Sequence, residues 1–324
     1  MAISHVAIVD WKTHPRGDNS CQIESDIIGD SANISYHLVE NDKDWLNASN
    51  DLKTADVVVL WHNAPCTEIA ISTLSKCKVI IRNGVGFDTV DLEAAKRSNI
   101  TVCNIPDYGT QEVADHAIAL ALCLARQIIP LDNHAKKLLW ELPPQAMANM
   151  RRFSDMIFGI VGLGRIGSAV AQKAEALGFN VFYYDPYVNS NEFARVDTLN
   201  ELLTLSDILS LHCPLNEQTK YMITSIELDL LKNSSFIVNT SRGSVISKRA
   251  LFNALNGGRL AGAALDVVED EPLQTSYEAK VANLICTCHG AFYSQQSIID
   301  MRTKSANLAR SAVTFEKLYN VVSQ

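Results

Sequence analysis

The sequence predicts an α/β protein made of two doubly wound parallel-sheet domains, and three observations predict it. Short β-branched runs alternate with helix-like segments along most of the chain. They fall into two series, one on each side of residues 105–150. The second series opens with glycines in G-x-G-x-x-G spacing between a strand-like and a helix-like segment. A chain of 324 residues is long enough for two domains, each with its own core.

In the first series the strand candidates are 5–10, 35–40, 56–61, 78–83 and 100–104, with helix candidates near 66–75 and 91–98. A long helix candidate, "TQEVADHAIALALCLARQI" at 110–128, leads towards the second series. Residues 129–151, with "ELPPQ", read as an irregular excursion. The second series has strand candidates at 156–162, 180–185, 207–212, 234–239, 261–267 and 283–287, enough for a six-stranded dinucleotide-binding sheet. Residues 295–323 read as helix returning to the first domain. No internal repeat is evident.

Composition narrows the function. The chain is 47% hydrophobic and 20% charged, with a net charge of −8 and no basic block. That balance argues against a nucleic-acid backbone or an anionic membrane as direct partner. The most apolar stretch, 116–125, is too short to span a bilayer. The start, "MAISHVAIVD", enters a strand without a signal-peptide pattern, and the eight cysteines are scattered. Both features are those expected of a reduced, cytoplasmic protein.

The glycine turn gives the strongest chemical signal. Gly162, Gly164 and Gly167 follow an apolar strand and open an alanine-rich helix, and a second strand runs to Asp185, 18 residues after Gly167. This is the context of a pyrophosphate-binding turn: tight turning, close backbone approach and a helix N-terminus facing the phosphates. Arg165 and Ile166 belong to the same turn. Asp185 would accept hydrogen bonds from adenosine ribose hydroxyls and repel a 2′-phosphate, which favours NAD over NADP. The plainer readings are a tight strand-to-helix turn and a loop aspartate opening "DPY".

Ligands of such sheets lie beyond the carboxyl ends of the strands. Arg242, Glu271 and His289 follow the fourth, fifth and sixth strand candidates of the second series, and Asp266 lies closer still to the fifth. Hydride transfer to and from an alcohol needs a group that takes and returns the hydroxyl proton, and histidine titrates in the right range. A carboxylate such as Glu271 would favour the imidazolium, and an arginine would pair with a substrate carboxylate and polarise its carbonyl. Together they suit a reversible 2-hydroxy acid/2-keto acid couple. Each alone has a blander reading, as a surface ion-pair former or a turn acid.

The stretch "ICTCHGAFYS" raises a metal alternative. Structural zinc prefers two separated ligand pairs, whereas Cys286, Cys288 and His289 form one crowded cluster. If the strand continues, both cysteines face one side and His289 the other, so the cysteines read as small core residues and no metal is expected.

The motifs "RNGVGFDTVDLEAA", "PDYGTQEVADHAIAL", "VGLGRIG", "LHCPLNEQTKYMI", "FIVNTSRGSVI", "LAGAALDVVEDEP" and "NLICTCHGAFYS" resemble the D-isomer-specific 2-hydroxyacid dehydrogenases over nearly the whole chain. Within that family the "YYDPY" and "HGAFYSQQSIIDMR" stretches are most similar to the branch of C-terminal binding proteins, NAD(H)-responsive corepressors that keep the dehydrogenase fold. The resemblance implies a flavodoxin-like substrate-binding domain from 1–104 plus 296–324. It implies a Rossmann NAD-binding domain at 105–295, an active-site cleft between the two, and a homodimer formed through the cofactor domain and the 110–128 helix. It implies Arg242, Glu271 and His289 as the catalytic set. Thr110, Pro214, Thr219 and Thr240 would line the cofactor site, with Asp266 on the nicotinamide carboxamide. Arg82 and the backbone of Val85 and Gly86 would meet the substrate, together with Arg242. The presence of Glu271 weighs against a formate dehydrogenase. The function implied is a dehydrogenase acting on a small 2-hydroxy or 2-keto acid, with a corepressor or scaffold as the alternative.

Overall fold

The computed structural model describes residues 4–13, 20–61, 63–144 and 150–322. Two compact units emerge, one formed by Met1–Gly109 with Ser294–Gln324 and one by Thr110–Tyr293.

In the first unit β1 (Ser4–Trp11), β2 (Ala32–Val39), β3 (Val57–Leu60), β4 (Val79–Arg82) and β5 (Thr101–Asn104) form a parallel sheet in the order β2-β1-β3-β4-β5, the flavodoxin-like arrangement. Helices α1 (Gln22–Ile28), α2 (Asp42–Leu46), α3 (Asn50–Lys53), α4 (Glu68–Thr73) and α5 (Leu92–Arg97) connect the strands. Side-chain caps start most of them: Asn41, Ser49, Thr67 and Asp91 each accept a first-turn backbone N–H. Val57–Leu60 and Val79–Arg82 are buried throughout, as strands covered on both faces must be.

The second unit begins with α6 (Thr110–Ala125) and α7 (Ile128–Ala135). Its sheet comprises β6 (Ile157–Val161), β7 (Asn180–Tyr184), β8 (Ala194–Arg195), β9 (Ile208–Leu211), β10 (Phe236–Asn239), β11 (Gly262–Leu265) and β12 (Leu284–Cys286). All pairs are parallel and the order is β12-β11-β10-β9-β6-β7-β8, with the switch point between β6 and β9. Alternate side chains serve two cores. Phe236 and Val238 pack with α6 and α8 (Arg165–Ala176). Ile237 packs with α9 (Leu199–Leu205), α10 (Ser225–Leu228) and α11 (Lys248–Asn256) on the other face.

The structure changes three sequence expectations. The 110–128 helix ends at Ala125, Gln127 takes a left-handed backbone (φ 53°), and α7 occupies part of the stretch read as irregular. Pro130 explains the break, because its ring would clash with the Arg126 carbonyl in a continuous helix. Residues 145–149 of that stretch lie outside the described residues. The sheet of the second unit gains the two-residue β8, too short to leave a periodic signal. The C-terminal helix α12 spans Gln295–Val313 only, and the chain then runs beside β5, with Val322 N–H donating to the Val102 carbonyl at 2.9 Å.

Helix α12 is bound to the first unit by a buried bidentate pair: the Arg302 guanidinium donates to the Glu24 carboxylate of α1 at 2.8 and 2.6 Å. Among the described residues no single helix is long and apolar enough to cross a membrane. Helices α6 and α7 reach that length only as a pair bent by 57°, and α6 buries its apolar side chains in the protein core.

Candidate active site and dinucleotide site

Strands β10, β11 and β12 are neighbours in register, so Asn239, Leu265 and Cys286 stand side by side at their carboxyl ends. The chain leaving these ends carries Arg242, Asp266, Glu271 and His289. His289 Nδ1 lies 2.8 Å from Glu271 Oε2, and their side chains keep 24% and 33% of their surface exposed. The pair is therefore oriented and still reachable by a ligand. Glu271 Oε1 accepts the Val268 N–H at 3.2 Å, which anchors the carboxylate to its own loop.

The Arg242 loop touches that same backbone. A Cβ on Gly243 would fall 2.0 Å from the Val268 carbonyl carbon, so only glycine allows the two loops to meet. Asn239, 1% exposed, shapes the Arg242 turn: its amide nitrogen donates to the Arg242 carbonyl (2.9 Å) and its oxygen accepts from Ser241 N–H and hydroxyl. The Arg242 Nη1 donates to the Ser241 carbonyl at 2.8 Å. Sequence reading passed over Asn239 because a buried asparagine at a strand end has no periodic signature.

Asp266 is fully enclosed and organises the His289 loop. Its carboxylate accepts the N–H groups of Gly290 (3.0 Å) and Ala291 (2.9 Å) and the Thr287 hydroxyl (2.5 Å). Three of about four acceptor positions are thus used within the protein.

The glycine turn has the geometry that a dinucleotide requires, and each glycine has a separate reason. Gly162 has φ +90°, and a Cβ there would lie 3.0 Å from Cys213 N, across the switch point from β9. A Cβ on Gly167 would sit 2.0 Å from the Gly162 carbonyl oxygen, so its absence brings α8 onto the turn. Gly164, the residue before α8, faces open space with nothing within 4 Å. That free volume at a helix N-terminus suits a pyrophosphate. Arg165 is exposed beside it, and Ile166 packs on the core.

Asp185 follows β7 and is spent largely on its own surroundings. It accepts Leu163 N–H at 2.8 Å, tying it to the glycine turn, and the Tyr187 and Val188 N–H groups at 2.8 and 3.0 Å. One acceptor position of about four remains for a ribose hydroxyl. The Thr219 hydroxyl donates to the Pro214 carbonyl at 2.6 Å and closes the loop after β9. The Tyr187 hydroxyl donates to Gln218 at 2.8 Å, joining that loop to the one after β7. Thr240 is buried with its hydroxyl unpartnered, a vacant donor and acceptor beside the β10 end that a polar ligand would satisfy. Thr110 opens α6.

Arg82, Val85 and Gly86 lie in the first unit. Arg82 ends β4, is 5% exposed, and donates through Nη1 to the Asn83 carbonyl. The Val85 carbonyl accepts from the Asn104 side chain at 2.7 Å.

Residues 118–291 match the family model described as D-isomer specific 2-hydroxyacid dehydrogenase, NAD binding domain. The chain belongs to this family. It is 34% identical over 282 residues to D-3-phosphoglycerate dehydrogenase of Methanocaldococcus jannaschii, covering 84% of this chain and 52% of that protein. The chain thus spans about half the length of that relative. It is 32% identical over 275 residues to glyoxylate reductase of Korarchaeum cryptofilum, covering 82% of this chain and 81% of the relative. Among solved structures, D-lactate dehydrogenase of Aquifex aeolicus complexed with NAD and lactic acid superposes with a TM-score of 0.87 at 28% identity, covering 98% and 99% of the two chains. These matches lend no support to the corepressor branch.

In this family member the cysteines of the His289 stretch are not core residues. Strand β12 ends at Cys286, so the expected alternation stops there, and both Cys286 and Cys288 are exposed. Among the described residues no group of three or more His, Cys, Asp or Glu side chains is placed to hold a metal ion.

A further histidine stands at the end of β9, beside the switch point. His212 follows β9, its Nε2 lies 2.8 Å from Ser210 Oγ, and burial pulls its imidazole down to about 3. The unfolded chain binds a proton at His212 below about pH 6.5 while the folded chain does not until near pH 3. Stability is therefore lost as pH falls through that window. Some solvent contact screens the site, so the loss by ~pH 4 is on the order of 2 kcal/mol. Urea unfolding at ~pH 7 and ~pH 4 should show a smaller drop for His212→Asn than for the parent. Equal drops would contradict the assignment.

Proposed function

We propose that this chain is an NAD-dependent oxidoreductase that interconverts a D-2-hydroxy acid and its 2-keto acid, with the second unit as the cofactor domain. The carrying observation is the His289–Glu271 pair at 2.8 Å, held at neighbouring strand ends of a sheet with a dinucleotide turn at its switch point. Bound at that turn, NADH would supply the hydride for the carbonyl carbon of the keto acid. Arg242 pairs with the substrate carboxylate and polarises the carbonyl. His289 donates the Nε2 proton to the carbonyl oxygen and takes it back in the reverse direction. Glu271, on Nδ1, fixes the ring orientation and stabilises the imidazolium. Asp185 accepts from the ribose and disfavours a 2′-phosphate, so NADH is preferred over NADPH.

Glyoxylate and other small 2-keto acids are the candidate substrates, as the relatives' chemistry suggests. Reduction with NADH deuterated at the transferring position should give a product labelled at C2, of D configuration for any keto acid larger than glyoxylate. Unlabelled or racemic product would sink the reading.

We propose further that the chain is a homodimer through the second unit. Helix α7 and the residues after it present Ile128, Ile129, Leu139 and Leu142, with Leu138 93% and Trp140 90% exposed. Apolar exposure of this kind normally marks an interface. Sedimentation should give a dimer for the parent and a monomer for the Leu138→Ser/Trp140→Ser double variant. A monomeric parent would refute it.

A further inference from the structure

His289 has a left-handed backbone (φ 52°) at a non-glycine position, a conformation that costs free energy and needs external support. Part of that support is local. The His289 N–H donates to the Asp266 carbonyl at 2.9 Å, and the next two N–H groups donate to the two Asp266 carboxylate oxygens. Asp266 therefore holds the catalytic loop through three consecutive residues.

The remaining support comes from a helix. The Thr287 hydroxyl donates its only proton to Asp266 Oδ1 at 2.5 Å. His116 Nε2 lies 3.0 Å from the same Thr287 oxygen. With that proton committed, the oxygen is an acceptor and His116 must present Nε2–H to it. His116 Nε2 also lies 3.7 Å from Asp266 Oδ1. His116 rides on α6, whose neighbours Ala114, Ala117, Ile118 and Leu120 are packed into the core. The chain of contacts runs from a rigid helix through one hydroxyl and one carboxylate to the backbone that aims His289.

We infer that His116 is a positioning residue for His289, acting through Thr287 and Asp266 to fix the loop after β12. The inference rests on the reading of His289 as the proton-transfer group. His116 meets Thr287 and Asp266, so its part is to position the loop and not to transfer the substrate proton. An error of about 1 Å in a reacting group costs on the order of 100-fold in rate. The expected signature is therefore a fall in kcat with cofactor binding intact.

The test is steady-state reduction of the best 2-keto acid by the full chain, with NADH affinity read separately by fluorescence. His116→Ala should lower kcat by about 10- to 100-fold while the NADH Kd stays within roughly threefold. His116→Gln, whose amide can donate to Thr287, should recover most of the loss. Thr287→Val should match His116→Ala, and Thr287→Ser should retain activity. The double variant His116→Ala/Thr287→Val should be no more than roughly twofold worse than the poorer single, because both break one path. If His116→Ala fails to fold, the Thr287 pair carries the test. Unchanged kcat in His116→Ala or Thr287→Val, alongside an inactive His289→Ala control, would overturn the inference and leave the proposed function standing. An active His289→Ala would overturn the underlying reading itself.

Discussion

His289→Ala lowers turnover by about 10²–10⁴-fold, the usual contribution of a positioned acid–base group, and leaves NADH binding within roughly threefold of the parent. The prediction follows from where the ring stands. His289 is paired with Glu271 at 2.8 Å, is 24% exposed, and follows β12, whereas the glycine turn follows β6 elsewhere in the sheet. Removing the imidazole should therefore remove proton transfer without touching the pyrophosphate cradle. Glu271→Gln should cost less, since a neutral amide can still contact Nδ1 but no longer favours the imidazolium. Turnover unchanged in His289→Ala would remove the mechanism. Loss of NADH binding in step with turnover would show a structural role instead.

Gly164→Val and Gly167→Ala should fail in opposite ways. Gly164 has φ −76°, which valine can adopt, and an added Cβ there has no protein atom within 4 Å. Its side chain would instead occupy the room for the pyrophosphate. The melting temperature should stay close to the parent while NADH affinity falls on the order of 100-fold. At Gly167 the added Cβ would press on the Gly162 carbonyl at 2.0 Å, so α8 must move away from β6. That variant should lose about 1–3 kcal/mol of stability, with cofactor binding weakened as a consequence. Calorimetry with and without NADH separates the two. A Gly164→Val protein that binds NADH like the parent would show that the turn does not hold phosphates.

The architecture was legible because its signals are local and repeated. Four-residue buried runs such as "VVVL" and "FIVN" mark parallel strands, and capping residues and glycines punctuate them. The signals that failed were shorter or depended on partners distant in sequence. Strand β8 has two residues, and the break at Gln127 is set by Pro130 three positions later. The alternation expected of Cys286 and Cys288 fails because the end of β12 cannot be read from composition. In the candidate site, Arg242, Glu271 and His289 stood out by chemistry and by their place after strands. Asn239 did not, because a buried amide that shapes a local turn has no periodic signature, and His116 and Thr287 did not, because their hydrogen bonds span 171 and 21 positions. Asp185 and Asp266 were legible as ligand acceptors but not as the backbone anchors that the structure makes of them.

The central claim is that the dinucleotide turn and the His289–Glu271 pair operate together on a keto acid. NADH oxidation by the purified full chain against glyoxylate, hydroxypyruvate, pyruvate and larger 2-keto acids tests it most directly. The account predicts turnover on at least one of them at roughly 1 s⁻¹ or faster, an ordinary enzymatic rate. Tight NADH binding with no turnover on any member of the panel would contradict it.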